Sequence, residues 1–251
     1  MPGQLMQAPP SDLPKGVHSS LIQWEQAMGQ YNLEKQDLQK LLAMLHTMKN
    51  PMFGVMLVMN KIQDIQGAQV TAFSDVMNVE TGLRDTFGTM QTEMNDATSS
   101  SASSKHMTDF LNHYNQLQTF LSYEKSLPEN ERVIDSSSLS SLQSSLSSIA
   151  DVFNSGSTDF GNAQAMTWDL QAWGGTKGVT DPTNGDYSKH WAKLQNAFQT
   201  LNQTVSALST TTNTQLQYLT QQFKQFLGEF QSASQSLLKY TATTVRNQRS
   251  G

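Results

Sequence analysis

Five histidines, a lysine set among glycines, two glutamates beside a proline and a long run of serines are the groups in this 251-residue sequence with the means to do chemistry. Zinc chemistry needs three or four nitrogen, sulfur or carboxylate ligands brought to one point. Of His18, His46, His106, His113 and His190, only His106 and His113 stand near each other, seven residues apart, with no further ligand at metal-binding spacing. The chain has no cysteine, which excludes disulfides, thiolate ligation and a cysteine nucleophile. GGTKG, from Gly174 to Gly178, lacks the spacing and preceding strand of a phosphate loop and reads as a flexible turn. Glu129 and Glu131 follow Pro128 in a break between helices, where solvated charge is the default. The serine run has neither a G-x-S-x-G context nor an accompanying base. The expectation is a protein that is not an enzyme, with no metal site and no cofactor.

The elements that carry these residues are helical and unusually poor in charge. Only 15% of residues are charged, and Ser, Thr, Gln and Asn fill the difference. Net charge is -5, and lysines and arginines are scattered singly, so no basic surface for nucleic acid is expected. The first seventeen residues, with four prolines in the first fourteen and no apolar signal run, are expected to be a disordered secretion leader exported without a cleaved signal peptide. The most apolar stretch, Met52 to Met59, is far shorter than the ~20 residues of a membrane-spanning helix. No transmembrane segment is expected.

Hydrophobic residues then recur at alternating steps of three and four. One stripe runs through Leu21, Trp24, Met28, Tyr31, Lys35, Leu38, Leu42 and Leu45, with Lys35 its one polar interruption, and stops near Pro51. A second runs from Met52 through Val55, Met59, Ile62, Gln66, Gln69, Phe73, Val76, Glu80, Leu83, Phe87 and Met90 to Met94, with Gln66, Gln69 and Glu80 as its polar positions. Shorter helices follow, one of them inside the serine run through Leu139, Leu142, Leu146, Ile149 and Phe153. Residues 155–190 are glycine-rich without sustained periodicity, and read as an exposed loop or small insert displaying Trp168 and Trp173. The last stripe runs from Leu194 to Tyr240, with two successive steps of four at Thr212, the mark of a stutter. The predicted fold is all-α, a long antiparallel helical hairpin or coiled coil with shorter helices. Its regions are 1–17, an N-terminal helical region 18–154, the insert 155–190 and a C-terminal coiled-coil helix 191–251.

Helices this long outrun the short ones between them, so part of their seams is expected to be exposed on a single chain and to drive self-association or chaperone binding. The residues expected to do so are Leu216, Leu219, Phe223, Phe226, Phe230, Leu237 and Tyr240 on the last helix, and Phe73, Val76, Leu83, Phe87 and Met90 on the second. With Leu216 at heptad position a, the e positions are Thr220, Leu227, Ser234 and Thr241, and the g positions are Gln222, Glu229, Ser236 and Thr243. Ion pairs that would select a foreign partner are nearly absent, which suits packing against copies of the same chain.

Two stretches carry a family resemblance: the Met-rich LLAMLHTMKNPMFGVMLVMNKIQDIQGAQ, and the polar coiled coil from Leu201 to Gln248. They resemble the EspA/SseB-like filament proteins that extend the needle of bacterial type III secretion, with the needle-tip proteins as the nearest alternative. The resemblance implies a secreted virulence component at the bacterial cell surface, kept soluble by a dedicated chaperone before export. It also implies self-assembly into a filament or tip in contact with needle and translocator proteins, in support of translocation. A soluble helical effector or adaptor that binds a partner protein is the alternative expectation.

Overall fold

The computed structural model describes residues 8–47, 51–99, 103–155, 160–173 and 185–249. Among these the chain is all-α, with no strand. Six α-helices follow in order: α1 (Val17–Met44), α2 (Pro51–Ser99), α3 (Ser103–Ser126), α4 (Ser136–Ser155), α5 (Ala163–Trp173) and α6 (Gly185–Arg249). Short 3-10 turns stand at Leu45–Thr47 and Glu129–Glu131. Pro51 opens α2, the end of a helix where its missing amide is harmless.

The helices form two compact units whose borders do not follow the four regions expected from the sequence. The first unit contains Met1–Ile22 and Asp75–Thr211, the second Gln23–Ser74 and Thr212–Gly251. Thus α1, α2 and α6 each contribute a stretch to both. The border in α6 falls at Thr212, where the hydrophobic repeat carries its stutter.

The first unit holds nearly all of the buried apolar side chains. Phe87, Phe110, Phe120, Phe153 and Phe198 are its largest fully buried groups, and Phe110 meets Phe198 edge to face at 6.2 Å. Both α4 and α5 pack on α3. Polar ties fix neighbouring helices at their rims: Arg84 donates to Ser209 Oγ at 3.1 Å, and Ser141 and Thr204 share a hydrogen bond at 3.2 Å. The serine-rich α4 buries Leu139, Leu142, Leu146, Ile149 and Phe153, so tertiary packing supplies what its weak helix propensity does not. Asp135 caps it, its Oδ1 accepting the amides of Ser137 and Ser138 at 2.9 Å each. Burial alone would raise the Asp135 pKa, but the hydrogen bonds from both serines outweigh it and hold the carboxyl low.

Three expectations need correction. The proline-rich leader is not wholly without structure: Met1 to Gln7 lie outside the described residues, but Leu13 is buried and Val17 fully so. A Pro14–Val17 turn with Gly16 at φ 84° delivers both into the first unit, so the prolines set a turn while Leu13 and Val17 supply the apolar contact. Next, α5 occupies the middle of the supposed insert. Met166, Leu170 and Trp173 sit at steps of four and three on its buried face, a repeat too short to stand out between glycine-rich flanks. Trp173, expected to be exposed, is therefore buried at 7% exposure, tilted against Phe153 at 5.2 Å and stacked on His190 at 5.1 Å; Trp168 on the opposite side is 63% exposed. Finally, Leu83, Phe87 and Met90, expected to be open to a partner, are at most 1% exposed inside the first unit.

Close packing makes one glycine irreplaceable here. A β-carbon on Gly82 would lie 2.9 Å from Val17 Cγ2 and 3.3 Å from the Lys15 carbonyl oxygen. Since Val17 is itself fully buried and cannot swing away, Gly82→Ala is expected to destabilise the first unit by about 1 to 3 kcal/mol. Thermal unfolding should read this as a lowered midpoint, whereas Gly88→Ala, whose new methyl meets nothing within 4 Å, should leave it unchanged or raised.

Candidate functional site

Among the described residues no three His, Asp or Glu groups are placed to hold a metal ion. His106 binds Glu93 across α2 and α3, whereas His113 on the same helix is not in that pair. The side chain of His46 and the whole of GGTKG lie outside the described residues. Glu129 is used locally, accepting a hydrogen bond from Ser136 Oγ at 3.0 Å.

One pairing invisible in the sequence is Ser155 with His190, whose Nε2 lies 3.1 Å from Ser155 Oγ. They stand beside a groove of about 490 Å³ between α4 and α6 that includes Asp151, Ser155, Lys193 and Asn196. A serine activated for attack must donate its proton to the imidazole. Here Ser155 Oγ also lies 2.8 Å from the Val152 carbonyl, a second acceptor for its single proton. With its ring stacked on Trp173, His190 acts as a clamp between helices. A second depression of about 500 Å³ is lined by Gln91, Gln195, Gln199, Asn202, Gln203 and Ser206 and offers amides and a hydroxyl but no charge.

The most perturbed acid is structural as well. Glu124 is fully buried near the end of α3, and its Oε2 accepts the amides of Val133 at 3.0 Å and Ile134 at 3.1 Å. Arg132 closes the same connection through the carbonyls of Leu127 and Lys125 and the hydroxyl of Ser136. Burial pushes the Glu124 carboxyl up to about 7, against the lowering effect of the two amides and of Arg132.

The apolar surface is where the molecule departs from an ordinary helical protein. Along α6, Leu194, Phe198, Leu201 and Val205 are at most 1% exposed, and Leu208 is 8% exposed. Beyond Thr212 the same repeat continues, yet Leu216, Leu219, Phe223 and Phe226 are only half-buried. Phe230, Leu237 and Tyr240 lie further along α6, with their side chains outside the described residues. Phe73 and Val76 on α2 are also half-buried.

In the second unit the buried apolar side chains among the described residues are Trp24, Ala27 and Ala72. Its exposed ones are Leu33, Leu42, Met44, Phe53, Val55, Met56 and Tyr218, between 39% and 60% exposed. Single exposed leucines are ordinary, but a unit with more large apolar groups outside than inside is not. An ionic cluster joins α1 to α2 in this unit: Lys61 binds Glu34 and lies 3.8 Å from Asp37, and within the helices it lies 3.9 Å from Asp64 while Lys40 pairs with Asp37 at 3.1 Å. The hydrogen bond that Lys61 donates to the Glu34 carboxylate is the main cause that raises the Lys61 pKa and keeps it charged.

Fold and site together define an all-helical protein whose candidate functional surface is apolar and incompletely covered. Comparison with protein-family models, with curated proteins and with solved structures finds no match.

Proposed function

We propose that this protein is a structural, self-associating component whose second unit is completed by packing against further copies of the chain. The observation that carries this reading is the change along α6: one hydrophobic repeat, fully covered before Thr212 and half-covered after it. A leucine or phenylalanine left partly exposed forgoes part of the ~1.5 to 3 kcal/mol that full burial provides. Leu216, Leu219, Phe223 and Phe226 lie in register on one face, so a neighbouring helix would recover that energy at all four positions together. The e and g positions, uncharged apart from Glu229, favour an identical helix as that neighbour.

The finer architecture belongs to the same proposal. The ion pair of Glu34 with Lys61 and the short connection between Met44 and Pro51 support an antiparallel α1–α2 hairpin. The C-terminal part of α6 and this hairpin form the coiled-coil surface offered to other copies. On the resemblance of the Met-rich and C-terminal segments, the assembly is a filament or needle tip of type III secretion. It would be chaperoned through the same apolar seam before export and would meet needle and translocator proteins at the needle end.

Sedimentation velocity of the purified full chain, from low to high micromolar concentration, tests the self-association directly. The weight-average sedimentation coefficient should rise with concentration, and negative-stain images of the concentrated sample should contain rings or fibres. A sedimentation coefficient flat across the series, with featureless images, removes the proposal.

A further inference from the structure

Glu124 fastens the α3–α4 connection to the first unit, and only half of its carboxyl is provided for. Oε2 accepts the amides of Val133 and Ile134, whereas Oε1, in the same fully buried side chain, meets no donor among the described residues. A neutral carboxyl tolerates this. An ionised one has lone pairs on both oxygens to satisfy and a charge to balance, and water does not reach it.

The elements around it supply no counter-ion in an ion pair. Arg132 favours the charged form less than either amide does, since its guanidinium is spent on the carbonyls of Leu127 and Lys125 and the hydroxyl of Ser136. Lys125 is exposed, and the other charged groups of the connection are the acids Glu129, Glu131 and Asp135. Neither α4 from Ser136 to Ala150 nor α6 between Lys193 and Lys224 has a charged side chain. On α2 the pair of Glu93 with His106 sets the register, and eighteen residues, five turns, along each antiparallel helix place Asp75 level with Glu124. Asp75 is another acid, 7% exposed, and its Oδ2 also lacks a partner. The leader brings Asp12, against Gln116, and Lys15 and His18 beside Val17, which meets Gly82 two turns along α2 from Asp75.

Most bonds of the connection are internal and would move with it: those of Arg132, the bond from Ser136 to Glu129, and the Asp135 cap on α4. Beyond Leu127, the ties to the rest of the unit are the two amides on Glu124 and the burial of Val133 and Ile134. A local opening there breaks little else and lets water reach the carboxyl. We infer that the α3–α4 connection is a proton-operated latch: closed while Glu124 is neutral, it opens at Val133 and Ile134 when the carboxyl ionises, with α3 and α4 still folded.

The test is hydrogen exchange of the full chain at low micromolar concentration, read by mass spectrometry with fragmentation that resolves the amides of Val133 and Ile134. Rates are corrected for the intrinsic pH dependence of exchange. With the Glu124 carboxyl raised from 4.5 to about 7, protection of these two amides should fall tenfold per pH unit between those values, about 300-fold in all, and level off above them. Low urea should leave it unchanged, because a local opening exposes little surface. The amides of Leu117 and Leu146, buried on α3 and α4, should stay better protected and respond to urea. In Glu124→Gln the amides of Val133 and Ile134 should lose their pH dependence. Flat protection in wild type, the same fall in Glu124→Gln, or exchange that matches Leu117 and Leu146 in level and urea response each overturns the latch. The wild-type series decides the first and last of these whether or not the variant folds, and none of the readouts involves the seam on α6.

Discussion

Replacing Glu124 with glutamine is expected to remove the largest single pH dependence in the stability of the first unit. The carboxyl is raised from its ordinary 4.5 to about 7 in the folded chain, with burial as the dominant cause. A carboxyl raised on folding binds its proton more tightly in the native state than in the unfolded one. Its contribution therefore favours folding at low pH and is lost as pH climbs from about 4.5 through about 7. At about 1.4 kcal/mol per pH unit, the native state should lose about 3 kcal/mol across that window relative to a variant that cannot ionise. Glutamine keeps an oxygen for the amides of Val133 and Ile134 while remaining neutral.

Urea unfolding of wild type and Glu124→Gln, followed by tryptophan emission at pH 4.5, 5.5, 6.5 and 7.5, isolates the effect as the difference between the two proteins. Other carboxylates titrate alike in both and cancel. The variant should gain on wild type steadily as pH rises, and a constant difference would mean that folding leaves the Glu124 pKa unshifted. The Asp135 cap works in the opposite sense: its carboxyl is held low, so its contribution is present above its unfolded value and is lost only in stronger acid, below the window in question.

How much of this was legible beforehand differs by element. Helical character follows from periodicity alone, and even the serine run reveals α4, because Leu139 to Phe153 keep their spacing whatever lies between them. Burial is less accessible, since a stripe states that something packs on it but not what. Leu83 and Phe87 on α2 and Phe223 and Phe226 on α6 have the same pattern, yet the first pair is sealed within the first unit and the second pair is half open. The difference comes from tertiary neighbours, among them α3, which Glu93 joins to α2 through His106. Long-range pairings leave no local trace either: nothing near Ser155 announces His190, and nothing near Glu124 in sequence predicts that it will bind the amides of Val133 and Ile134. Within the apolar Met52 to Met59 run, nothing in the composition separates the exposed Phe53, Val55 and Met56 from the partly covered Leu57, Val58 and Met59.

Because Leu83 and Phe226 occupy equivalent places in their repeats but different surroundings, the same aspartate substitution should do opposite things at the two. At Leu83, with no exposed surface, an unpaired carboxylate would stand in the core, and a loss of about 4 kcal/mol or more is expected. Leu83→Asp should lower helicity and the unfolding midpoint, whatever happens to association. At Phe226 the side chain already touches water, so the charge can stay solvated in the single chain and becomes buried only when a second helix covers the seam. Phe226→Asp should keep most of the helical circular dichroism and weaken self-association by about a hundredfold or more, combining the lost phenyl burial with the desolvation of a carboxylate. Sedimentation and circular dichroism on the same samples separate the two results. If Phe226→Asp assembles as wild type does, the interface lies elsewhere than the C-terminal seam; if it unfolds as Leu83→Asp does, that seam is core and not surface.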